Sequence, residues 1–197
     1  MFKPSYLLMT SLLALSGAAS AAMLSGTLNV DNGYVAYISS ANNIQGTQVS
    51  AGNHWPTAYQ FSNVNLTSGQ DYYLHIYAYD QGWIAGFLGE FLLTGSGHTF
   101  ANGDTRFATN TVGWGVSKTG WDNYQDATNW GANGAYPWGL RPEVDASAEW
   151  IWSDNAYDDD QAYFTTLISA VDVAEPSSML LMGLGVAGLF AARKKMK

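Results

Sequence analysis

Four tryptophans, Trp114, Trp121, Trp130 and Trp138, fall with Tyr124 and Tyr136 in a stretch from Gly115 to Pro142 rich in Gly, Asn and Asp. An exposed aromatic ring stacks on the apolar C–H face of a sugar, and Asp122, Asn123, Gln125 and Asn129 would hold its hydroxyls. Tryptophan is also highly buried on average, so the same rings serve equally as core or as a cover over the open end of a sheet. The carbohydrate reading names Trp114, Trp121, Asp122, Tyr124, Trp130 and Trp138 as the ligand site.

A second cluster is acidic: Asp154, Asn155, Asp158, Asp159 and Asp160. Calcium takes six to eight oxygens from carboxylates and carbonyls, and a turn of this composition supplies several from one segment. The spacing is not that of an EF-hand, which alternates its acids around a central glycine. Calcium is the one cofactor the sequence suggests, and a solvated turn is the alternative. Catalysis finds less support. His54, His75 and His98 lie in separate segments outside any triad or metal pattern. Glu90, Glu143 and Glu149 offer carboxylates for glycoside hydrolysis, but sequence does not give their separation. The expectation is a protein without enzymatic activity.

These residues belong to a segment of distinct charge. From Ala22 to Asp172 the only cations are Arg106, Lys118 and Arg141, against fifteen carboxylates, which leaves about −12 where the whole chain carries −8. Phosphate binding needs a basic face, so nucleic acid is excluded as a partner. The chain has no cysteine, which removes thiolate metal sites and cysteine nucleophiles.

The elements that must position the candidates read as strands. In Asp71–Asp80, Tyr72, Leu74, Ile76 and Ala78 alternate with Tyr73, His75, Tyr77 and Tyr79, one face suited to a core and the other an aromatic, half-wet surface. Thr27–Val30 and Tyr34–Ser39 flank Asp31-Asn32-Gly33, a hairpin-type turn signal. Two glycines within Trp83–Leu93 suggest a bulge or bend. Ala148–Trp152 and Gln161–Ala170 read as two closing strands of one antiparallel sheet, and Gly115–Pro142 as a long irregular loop. Short strands at turn-marked intervals predict an all-β fold, an antiparallel β-sandwich of jelly-roll type over residues 22–171.

The two ends carry addresses. Residues 1–21 have a cation at Lys3, an apolar stretch and Ala19-Ser20-Ala21, the layout of a secretory signal peptide cut after Ala21. Residues 172–197 contain Val173, Glu175, Pro176 and Ser177, then an apolar run read as a single transmembrane helix over about 178–192, then Arg193-Lys194-Lys195-Met196-Lys197. The cationic end holds such a span with its C-terminus in the cytoplasm.

This tail resembles the PEP-CTERM sorting tail of Gram-negative bacteria, although Ala174 stands where that family places its first proline. The resemblance implies an exosortase-type processing enzyme as partner, transient residence in the inner membrane, and delivery to the cell surface or extracellular matrix. The segment Tyr72–Ala78, with Gly86–Phe91 and Ala148–Trp152, resembles the galactose-binding-type jelly rolls attached to secreted sugar-acting enzymes. The resulting expectation is an exported structural or adhesive protein associated with exopolysaccharide. A dedicated carbohydrate-binding module using the Trp114–Trp138 loop is the first alternative, and a glycan-active enzyme the second.

Overall fold

A computed structural model of the chain describes residues 21–171. They form two antiparallel sheets built from β1 (Ala22–Asp31), β2 (Gly33–Ser39), β3 (Thr47–Gly52), β4 (Tyr59–Leu66), β5 (Tyr72–Tyr79), β6 (Gly86–Thr94), β7 (His98–Phe100), β8 (Arg106–Ala108), β9 (Gly115–Ser117), β10 (Gln125–Asp126), β11 (Thr128–Ala132), β12 (Glu149–Trp152) and β13 (Gln161–Ala170). The β1 sheet has the order β11-β12-β6-β1-β4, with β8 also on β6; the β5 sheet has the order β10-β9-β13-β5-β2-β3, with β7 also on β13.

Alternation decides what the sandwich buries. Leu24, Leu28 and Val30 of β1 and Phe87, Phe91 and Leu93 of β6 meet Leu74, Ile76 and Ala78 of β5 and Phe164 and Ile168 of β13 in one core. Chain neighbours β1 and β2, β3 and β4, β5 and β6, and β12 and β13 lie in opposite sheets. The main strands thus run β12-β6-β1-β4 and β13-β5-β2-β3, a jelly-roll order that the chain enters at a different strand.

Several local expectations give way to this wrapping. Asp31-Asn32-Gly33 does not close a hairpin: β1 pairs with β4 and β6, while β2 pairs with β3 and β5. The turn is a corner between sheets, fixed by the Asn32 N–H donating to the Tyr79 carbonyl at 2.7 Å. Gly33 is required there, because a Cβ would run into the Tyr79 ring. Likewise β12 and β13 do not pair with each other, since each completes a different sheet. Gly86 and Gly89 put no bend into β6, which pairs with β1 without a register shift from Met23 to Asp31. Gly86 instead leaves room for Trp138 and Trp150, whose rings a Cβ would meet at 2.8 and 2.9 Å. The stretch Gly115–Pro142 holds β9, β10 and β11, so much of it is sheet edge.

Candidate functional site

The tryptophans of the expected binding loop go to different places. Trp114 is central core, 1% exposed, with its ring stacked on Phe107 and edge-on to Phe87. Trp138 is also buried, stacked on Trp150 at 4.6 Å, and its Nε1–H donates to Asp31 Oδ2 at 3.0 Å. Trp130 is half-buried beside Tyr157 and donates from Nε1 to the Ser153 carbonyl at 2.9 Å. Trp121 and Tyr124 lie at the outer face of the β5 sheet, and Asp122 between them in the chain is exposed. These six residues therefore do not gather into one site. The alternation of hydrophobic and polar positions does not report which loop ring folds inward, because the loop crosses from edge strand to core within a few residues.

The outer face of the β5 sheet carries the aromatic row that alternation along β5 predicts. Trp121 stacks on His75 at 4.6 Å and stands edge-on to Tyr37 and Tyr163. Tyr77 packs on Tyr163 at 5.0 Å. The covering loop is tied down by Tyr124 Oη–H donating to the Asn42 carbonyl at 3.0 Å and by Thr165 Oγ1–H donating to Asn42 Oδ1 at 2.6 Å. Burial under Trp121 pushes the His75 pKa down, which favours the neutral ring. The rings on this face largely occupy one another.

The acidic turn is held by a cation of the chain itself. Lys118 Nζ lies 2.5 Å from Asp154 Oδ1 and 2.8 Å from Asp159 Oδ2, and Ser153 Oγ–H donates to Asp159 Oδ2 at 2.6 Å. Asp158 accepts from Asn155 Nδ2 at 2.8 Å, and Asp160 offers its carbonyl to the Asp80 N–H. The hydrogen bond and charge of Lys118 hold the Asp154 carboxyl below its usual range. Among the described residues no group of three His, Cys, Asp or Glu side chains is arranged to hold a metal ion. The calcium reading could not register Lys118, which lies far from this turn in sequence and reaches it through the pairing of β9 with β13.

The exposed aromatic surface is elsewhere, at the end of the sandwich where β5 passes to β6. Trp83 is 61% exposed, the one exposed tryptophan of the chain's eight, and stands edge-on to Tyr136, 84% exposed, with centroids 6.1 Å apart. Trp83 has φ of 85°, a left-handed conformation that is a genuine outlier for a bulky residue. Its loop is pinned on both sides. The Gln81 N–H donates to Asn32 Oδ1 at 2.5 Å, the Gly82 N–H to Asp80 Oδ2 at 3.1 Å, and the Ala85 N–H to the Ala156 carbonyl at 2.8 Å. The loop of Tyr136 is organised by Asn133, whose Nδ2 donates to the carbonyls of Arg141 and Val144 at 2.9 and 3.1 Å and whose Oδ1 accepts from the Arg141 N–H at 2.8 Å. A large apolar ring held outward in a strained backbone is the kind of outlier found at ligand clamps. Sequence reading missed Trp83 because Ile84-Ala85-Gly86-Phe87 absorbs it into an apolar run, although Asp80-Gln81-Gly82 marks the turn before it.

Two carboxylates, Asp31 and Asp80, sit close to each other at this corner. Burial raises the Asp31 carboxyl to about 6, opposed by its bond from Trp138 and reinforced by the charge of Asp80. Asp80 is itself pushed up by burial, and its Oδ1 has no partner in the protein. Arg141 balances this end, its guanidinium 5.0 Å above the Trp55 ring. A folded-state pKa above the unfolded value means that protonated Asp31 favours the fold. That contribution is complete below 3.8 and is lost as the pH rises through about 6. Discounted for the partial exposure of Asp31, the penalty above that range is about 1 kcal/mol. Asp31→Asn keeps an acceptor for Trp138. It should raise stability at neutral pH by about 1 kcal/mol and flatten the profile between about pH 4 and 6, leaving what Asp80 contributes. Denaturant titrations across that range would show it, and profiles of unchanged slope would refute it.

Residues 172–195 match the PEP-CTERM protein-sorting motif. The protein is thus an exported β-sandwich sorted by way of the membrane enzyme exosortase, and Val173, Glu175, Pro176 and Ser177 fall within the matched segment. No curated protein and no solved structure matches the chain. The sorting residues, the apolar run 178–192 and Ala19 of the signal-peptide site lie outside the described residues; Ala21, exposed, directly precedes β1. Among the described residues no helix is long and apolar enough to cross a membrane.

Proposed function

We propose that this protein is a structural and adhesive component of the cell surface or extracellular matrix, and that it holds exopolysaccharide on the ring pair Trp83–Tyr136. The observation that carries this reading is the exposure of both rings on loops pinned by backbone hydrogen bonds. Fixed aromatic faces lose little conformational entropy when they bind. A domain of about −12 repels polyanions, so the glycan is neutral. The start of β1 at Ala22 agrees with a signal peptide removed after Ala21. A membrane span over about 178–192, used transiently, completes the route.

The reading is of binding without catalysis. Glu90 is engaged by Arg106 at 3.6 Å, while Glu143 lies on the loop between β11 and β12 and Glu149 opens β12. Affinity electrophoresis through gels containing neutral glucans or galactans tests the proposal. Trp83→Ala should weaken retardation about tenfold, and Trp83→Ala with Tyr136→Ala should abolish it. Retardation of a folded double variant equal to that of the parent would reject the site.

A further inference from the structure

No Asp, Glu, Lys or Arg occurs between Asp31 and Asp71, a run of 39 residues in a domain whose fifteen carboxylates all lie outside it. The fold turns this run into a surface. It contains β2, β3 and β4; β3 is an edge of the β5 sheet, β4 is an edge of the β1 sheet, and the two edges touch. One flank of a strongly acidic sandwich is therefore built from neutral residues.

Natural edge strands are kept apart by charges, prolines, bulges or covering loops. On the β4 edge, the pairing with β1 shifts register between Leu24 and Gly26, Asn63 sits at φ of 61°, and a groove beside Gln60, Phe61 and Ser62 brings in Glu90 and Arg106. The β3 edge, Thr47-Gln48-Val49-Ser50-Ala51-Gly52, has neither charge nor proline; its single irregularity is a register shift against β2 at Val49. Thr47, Gln48 and Ala51 are exposed. Two bodies of this charge repel each other over most of their surface. They approach with the least like-charge cost along this flank, where an open backbone edge also awaits a partner strand.

We propose that β3 pairs antiparallel with β3 of a second copy, giving a two-fold dimer in which the β5 sheet continues from one subunit into the next. A dimer with two glycan sites suits a matrix component, but its formation does not depend on glycan binding.

Because the chain contains no cysteine, one introduced thiol reports the contact. In the full-length protein held in mild detergent, Gln48→Cys should form a disulfide dimer of twice 21.3 kDa on oxidation, lost on reduction. Asn129→Cys, on the exposed edge strand β11, should remain monomeric. Gln48→Lys with Ala51→Lys should weaken association at least tenfold in sedimentation, with tryptophan fluorescence unchanged. The parent dimer should tighten severalfold as salt rises from about 10 to about 150 mM, because screening removes the residual repulsion. A monomeric parent, equal cross-linking through Asn129→Cys, or association that survives the two lysines would overturn the proposal; the last result would place the contact in the tail or on another face.

Discussion

Replacing Trp114 by alanine should cost the domain about 3–5 kcal/mol, a large share of the roughly 5–15 kcal/mol by which domains are stable. Trp114 joins rings contributed by separate elements: Phe87 and Phe91 of β6 at 5.3 and 5.5 Å, and Phe107 of β8 at 5.8 Å. Removing the indole leaves a cavity that these two anchored strands cannot collapse to fill. Trp114→Phe should be far milder, because the indole N–H has no partner in the protein and its loss abandons no hydrogen bond. Chemical denaturation of both variants checks this. A loss below about 1 kcal/mol for the alanine variant would show that the site relaxes in a way close packing does not allow.

Alanine at both Glu175 and Pro176 should stop release of the protein from the membrane. These residues lie inside the matched sorting motif, and Ala174 already departs from its usual first proline. Intact mass separates the outcomes. The parent recovered from culture medium should lack everything after the Glu175–Pro176 region, while the variant should stay with membranes and keep Arg193 to Lys197. A parent that retains those residues and never leaves the membrane would make the tail a permanent anchor and the protein a cell-surface one.

The aromatic outer face of β5 and the inward set Leu74, Ile76 and Ala78 were legible as a strand, because alternation at period two needs no partner to be recognised. Partnership was not legible. Asp31-Asn32-Gly33 carries the composition of a hairpin turn, yet it turns a corner between sheets, a choice made by Tyr79 on a strand far along the chain. The site shows the same division. The sequence drew attention to tryptophans in a glycine-rich stretch, and Tyr136 is indeed exposed there. Trp114 and Trp138, however, were claimed by the core, and Trp83 was hidden in an apolar run. Lys118 across the acidic turn is a tertiary fact, invisible to spacing.

The place of β13 has a consequence for timing. This strand lies between β5 and β9 and also carries β7, so the β5 sheet has a gap at its centre until Ala170 has been synthesised. Only Val171 separates that residue from the matched sorting segment. A chain cut short before its address is thus also a chain whose sandwich cannot close, and it is left with the exposed strands that quality-control proteases recognise. Completion of the fold and acquisition of the address fall in the same final stretch of synthesis, so a product cut short before Ala170 lacks both the closed sandwich and the address.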